Sequence, residues 1–163
     1  MMRKPSLLTR ERILYWPGEF SEIVDLLTKR GDDGRSQPGA PFTLNVGVIA
    51  MAAALGLREG RKREVGANRK EISSTTFHMQ GLELYLLLIP ILSHPEAATE
   101  ALRPENEEAT LKEFERYAAG GLEVLAGEFE RSAGREVDVV LHSLLKPTSA
   151  RQESALSDLP DLL

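Results

Sequence analysis

Between Asn106 and about Arg131 the chain places Leu111, Phe114, Ala118, Leu122, Leu125 and Phe129 at helical spacing, and Gly120-Gly121 falls in the middle of that stretch. The spacing predicts one long amphipathic helix with these side chains turned inward. A glycine inside a helix costs up to about 1 kcal/mol against alanine. Either another helix packs closely at the pair, or the helix breaks there in two.

The remaining sequence reads mostly in helical terms. Glu19 to Arg30 sets Phe20, Ile23, Val24 and Leu27 on one face, with Gly31 as a stop. Gly31 to Pro41, GDDGRSQPGAP, has three glycines and two prolines and predicts a surface loop. Thr43 reads as an N-cap, Leu44, Val48, Met51, Ala52 and Leu55 as one core stripe, and Gly56 as the closing C-cap. Glu64 to Phe77 differs. Val65, Ile72, Thr75, Thr76 and Phe77 favour extended backbone, and Gly66-Ala67-Asn68 can turn a short hairpin. From Gly81 a helix runs to about Ile89, where Pro90 kinks or ends it. A boundary follows at Ser93-His94-Pro95, then short helices over Pro95–Leu102 and Val137–Leu145.

The expected fold is mainly α, a compact helical domain with a short β-hairpin. A length of 163 residues fits one domain at about 150 residues per unit. We expect an N-terminal extension over residues 1–41, a helical core over 42–146 and a flexible tail over 147–163. In that tail Leu156, Leu159, Leu162 and Leu163 either fray with the terminus or dock as an acidic–hydrophobic peptide. No repeat or sustained heptad pattern calls for a solenoid or a coiled coil.

Several function classes are excluded or weakened. The chain has no cysteine, so it holds no disulfide, thiolate zinc site or cysteine nucleophile; this fits the cytoplasm, the expected location. The apolar stretch of a signal peptide is broken by Arg10, Glu11 and Arg12. The most apolar run, Leu82 to Leu92, contains Glu83 and Pro90 and is far short of the roughly 20 residues a membrane span needs. It is expected to be a core helix, and no membrane partner is expected. There is no Gly-Lys pair for a Walker A loop, no Gly-x-Ser-x-Gly elbow and no Glu-x-Lys of a metal-dependent nuclease core. His78, His94 and His142 are scattered and lack zinc-site spacing. Glu105, Glu107 and Glu108 sit where a helix begins and suit its dipole. Trp16, with Tyr15, reads as core. The sequence thus assigns no catalytic residue, no metal and no cofactor.

Charge is unevenly placed. Arg58, Arg61, Lys62, Arg63, Arg69 and Lys70 face only Glu59 and Glu64 in their segment, a local net of +4, while the whole chain carries −5. Glu96 to Glu136 holds 11 Glu against five Arg or Lys. The basic segment can hold phosphates through guanidinium forks, pair with acidic groups of this chain or of a partner, or simply be a solvated face.

Two stretches carry a resemblance. One is PFTLNVGVIAMAAALGLREGRKREV from Pro41 to Val65, continued by Lys70-Glu71-Ile72 to Phe77; the other is FERYAAGGLEVLAGEF from Phe114 to Phe129. In this order they resemble the Dnd-system-associated protein four family, small proteins that accompany bacterial DNA phosphorothioation and its linked restriction genes. The matching features are a helix ending Ala53-Ala54-Leu55-Gly56, the basic Arg61-Lys62-Arg63, and Tyr117-Ala118-Ala119-Gly120-Gly121-Leu122. The resemblance covers roughly Pro41 to Leu145 and leaves the first 40 residues and the tail outside it. It implies a setting in DNA modification or antiphage defence and supplies no catalytic residues.

Three readings follow. The first is a non-catalytic accessory subunit that contacts a larger protein of a modification or defence complex through Arg58, Arg61, Lys62 and Arg63. The second is a DNA-binding regulator or DNA-contacting subunit using the whole segment, Arg69 and Lys70 included. The third is a small nuclease or hydrolase with an unrecognised site. A homo-oligomer, pairing the basic segment of one copy with the acidic helix of another, is compatible with the first.

Overall fold

The computed structural model describes residues 4–29, 35 and 39–146. The Gly31–Pro41 loop lies largely outside these residues, and the 147–163 tail with its leucines lies wholly outside them. The chain forms two compact units, one through Gly127 and one from Glu128. The first holds β1 (Ile13–Pro17), α1 (Ser21–Thr28), α2 (Asn45–Glu59), β2 (Arg69–Ser73), α3 (Ser74–Met79), α4 (Glu83–Ser93), α5 (Ala98–Ala101) and α6 (Glu107–Arg131), of which the residues from Glu128 belong to the second. Among the described residues the fold is mainly α with one two-stranded antiparallel pair, as expected. No described helix is long and apolar enough to cross a membrane.

The glycine pair does not break its helix. α6 runs unbroken through Gly120 and Gly121, and α2 crosses it there in backbone contact. A β-carbon on Gly121 would stand 1.7 Å from the Ala52 carbonyl oxygen, and one on Gly56 2.1 Å from that of Tyr117. Gly56 is therefore a crossing residue, not the expected C-cap. The helix continues to Glu59 and ends at Gly60, whose φ of 63° is left-handed, a conformation open to glycine at little cost. It begins at Asn45 after Leu44, with no side-chain cap from Thr43. Its burial also exceeds one stripe: Val46, Val48, Ile49, Ala50, Ala52, Ala53 and Leu55 are all buried, because α2 is covered on more than one side.

The strand pair departs from the expected hairpin. β2 pairs with β1, from Ile13↔Ser73 to Pro17↔Arg69, and not with a neighbour across Gly66-Ala67-Asn68. The stretch before that turn is engaged elsewhere, since the Arg63 amide donates to the Arg116 carbonyl at 3.0 Å. β1 buries Leu14 and Trp16, so Trp16 is core as read. Thr75 to Phe77, expected to be extended, are helical in α3. The Ser73 hydroxyl accepts from the Thr75 amide as an N-cap, and Phe77 is drawn into the core edge-on to Phe114, with ring centroids 5.7 Å apart.

Two buried glutamates tie down the segment ahead of β1. Glu83 accepts from the Ser6 hydroxyl, from the Leu7 amide at 3.1 Å and faces His78 Nδ1 at 2.7 Å. Glu107 accepts from the Thr9 amide and hydroxyl, both at 3.0 Å, and from Arg12 Nε at 2.9 Å. The helix-start reading of Glu107 thus leaves out its main contacts. α4 buries Leu86, Ile89 and Pro90, with Pro90 inside the helix, which continues to Ser93. It is only partly the expected core helix, because Leu84 and Leu92 are 56% and 53% exposed. A sequence apolar all round cannot show which face the core takes.

In the second unit Arg131 pairs with Glu128 at 2.7 Å. α7 (Val137–Leu145) has the expected bounds and buries Val140, Leu141 and Leu144.

Candidate interaction surface around Arg58–Lys70

The basic segment is laid down by three glycines. Gly60 turns the chain out of α2, and the Arg61 amide then donates back to the Gly56 carbonyl at 2.8 Å. Gly120 lets the backbone of Arg61 and Lys62 rest directly on α6, where a β-carbon would come within 2.1 Å of the Arg61 carbonyl oxygen. The crossing thereby carries Lys62 and Arg63 over the acidic residues of α6.

The cations fall into two groups. Arg58, Lys62 and Arg63 meet carboxylates of their own chain. Arg58 pairs with Glu59 at 2.9 Å, Lys62 with Glu113, and Arg63 with Glu19. Arg116 extends the network, reaching Glu64 at 2.6 Å and Glu113 at 3.0 Å. The Lys62 ammonium lies 5.1 Å from the Tyr117 ring centre and the Arg63 guanidinium 5.1 Å from that of Phe20. Arg61, Arg69 and Lys70 form the second group and have no carboxylate within ion-pair distance among the described residues. Arg61 is exposed. Arg69 lies 4.0 Å over the Tyr15 ring, and Lys70 lies 5.6 Å over that of Trp16.

Ionisation follows these contacts. The hydrogen bond to Glu113 holds Lys62 above the usual lysine range, although burial opposes it. Burial pushes the Glu113 carboxyl up, but Lys62 and Arg116 outweigh it and hold the group below the usual range. Glu115 goes the other way. Burial pushes it up, and the Tyr15 amide that donates to it at 2.8 Å offsets only part of the shift.

Glu19 and Glu113, the acidic partners of Arg63 and Lys62, escaped the sequence reading. The acidic excess of Glu96–Glu136 was the signal, but only the glycine crossing selects Glu113 from it. A cleft of 380 Å³ also escaped it; Lys62, Glu113, Thr110, His94 and Ala101 line its wall. His78 and His94 contact Glu83 and Glu96, and His142 is on α7 of the second unit. Among the described residues no three His, Asp or Glu come close enough together to hold a metal ion.

No curated protein and no solved structure shows a significant match to the chain. A family match, however, runs over residues 16–161. It reaches beyond Pro41–Leu145 to take in Trp16, α1 and most of the tail, so the first 40 residues are not wholly outside the family as the resemblance alone left them. With its crossing glycines and basic turn lying inside that match, the chain belongs to the DNA sulphur modification system-associated protein 4 family.

Proposed function

We propose that the chain is a non-catalytic accessory subunit of a DNA sulphur modification system, bound through Arg58–Glu64 to a larger protein of that system. The observation that carries this reading is the mixed charge of the segment. Arg58, Lys62 and Arg63 already face Glu59, Glu113 and Glu19, so the surface presents both signs around Arg61, which has no carboxylate partner among the described residues. A phosphate clamp needs cations free to neutralise phosphates and so release the counterions condensed on the nucleic acid. Alternating charge instead suits the polar rim of a protein contact, where charges of both signs set register.

Arg61→Glu is the cleanest test, because among the described residues Arg61 has no carboxylate partner that the change would strand. The variant is expected to keep its melting temperature and to lose co-purification with the other proteins of the modification system. Full retention of the partner by a folded Arg61→Glu variant would refute the assignment.

A second reading, direct DNA contact, is favoured by Arg61, Arg69 and Lys70, which form no ion pair among the described residues. Fluorescence anisotropy on duplex DNA with and without phosphorothioate links tests it. Binding that weakens with salt supports the reading, and no binding at low salt removes it.

A further inference from the structure

The strand pair has two outer edges, and the β1 edge is engaged at Tyr15 by α6. Ladder parity shows which groups face outward. The Gly18 amide donates to Asn68 and the Ser74 amide to Arg12. These pairs bracket the register, so Trp16–Lys70 and Leu14–Ile72 are the pairs that exchange hydrogen bonds. Ile13, Tyr15, Pro17, Arg69, Glu71 and Ser73 are the intervening residues, and their carbonyls, with every amide but the one Pro17 lacks, point away from the partner strand. On the β1 side the outward amide of Tyr15 is satisfied, because Glu115 accepts from it at 2.8 Å. On the β2 side the backbone groups of Arg69 and Glu71 have no partner among the described residues, and Arg69, Lys70 and Glu71 are exposed.

We infer that the free edge of β2 receives an antiparallel strand from a partner protein, a strand bearing carboxylates opposite Arg69 and Lys70. This rests on the accessory-subunit reading and adds a second point of contact beside Arg58–Glu64. An unpaired edge is a template for strand addition, in which main-chain bonds give affinity and alternate side chains give specificity.

Charge decides the occupant. A second copy would have to set outward residues against outward residues about a two-fold axis. Centred on Glu71, that register opposes Glu71 to itself; centred on Arg69 or Lys70, it opposes that cation to itself, although the Lys70 register also sets Arg69 against Glu71 on either side; centred on Ile72, it runs into α3. Like charges directly opposite one another destabilise a ladder, and a lysine on an edge discourages self-pairing. A strand with acids opposite Arg69 and Lys70, a cation opposite Glu71 and an apolar residue opposite half-buried Ile72 meets no such conflict.

The probe is a capped synthetic peptide with the core Thr-Val-Lys-Glu-Asp, which lies antiparallel to Ser73–Arg69, titrated against the full chain. Its Lys and Asp amides then face Glu71 and Arg69, while its Val and Glu amides face away. N-methylation at Lys and Asp is expected to weaken binding about tenfold or more, and at Val and Glu within about twofold. On the protein, Glu71→Pro removes an outward amide, so it is expected to stay folded and lose the peptide, while Glu71→Ala keeps it. Ile72→Pro removes a ladder amide and is expected to lower the melting temperature. No binding up to about 1 mM peptide, or binding indifferent to the N-methyl positions, overturns the inference on the wild-type chain alone. Co-purification separates this from the broader reading. If Glu71→Pro keeps the natural partner and Arg61→Glu loses it, the edge is wrong and the accessory role stands. If the wild-type chain holds no protein of the system, the accessory role falls, whatever the peptide does.

Discussion

Glu83 and Glu107 carry more of this fold than their exposed neighbours on the same helices. Burial pushes both carboxyls up, yet the donors around them hold both below the usual range. For Glu83 these are Ser6, His78 and the Leu7 and Leu8 amides; for Glu107 they are Thr9 and Arg12. A carboxylate with a depressed folded value adds stability that is fully present above its unfolded value and is lost as pH falls through the folded one. Glu113 acts in the same sense, and Glu115, pushed up, in the opposite one. Three against one, the chain is expected to lose stability on acidification below the ordinary carboxylate range. Glu107→Gln is expected to cost about 2 kcal/mol at neutral pH, since it weakens bonds to a buried charge. It should also flatten the acid limb. Denaturant midpoints across the acid range check both effects, and an unchanged limb would remove Glu107 from this role.

At the scale of elements, the α2–α6 crossing organises both the core and the basic segment. Gly121→Ala should improve helix propensity by up to about 1 kcal/mol, but its β-carbon would meet the Ala52 carbonyl at 1.7 Å. Overpacking of a rigid backbone contact typically costs about 1–3 kcal/mol, so net destabilisation is expected. Equilibrium unfolding of Gly121→Ala checks the sign, with an exposed Ala54→Gly as the propensity reference. A stabilised Gly121→Ala would mean that the two helices separate more easily than the geometry allows. The strand pair is the element the sequence hid best. β2 was legible as extended, but its partner lies more than fifty residues upstream, where Tyr15 and Trp16 read as a core contact and not as a strand.

For the whole molecule, net charge and the ion pairs point the same way. A chain at −5 whose basic segment is half neutralised by its own carboxylates is expected to bind DNA weakly in general. If duplex DNA is bound, Arg61, Arg69 and Lys70 are the cations left to release counterions. The log–log salt slope should then be no steeper than about −3, against about −5 if all six cations engaged phosphates. Anisotropy titrations over a range of salt measure it directly. A slope near −5 would show that the pairs with Glu19, Glu59 and Glu113 open on binding.

The sequence alone determined the helical class, the bounds of α6 and α7, and the family. Each of these rests on local signals: apolar periodicity over many residues, a boundary set by neighbouring turn residues, or a short motif read in order. It also narrowed the glycine pair to two outcomes. Tertiary structure chose between them, turned Gly56 from a helix stop into a crossing point, and matched Glu113 and Glu19 to Lys62 and Arg63. It also joined β2 to β1 and left the outer edge of β2 open. These outcomes depend on which distant backbone comes within a few ångströms, and a one-dimensional pattern of apolar and charged residues holds no information about that distance.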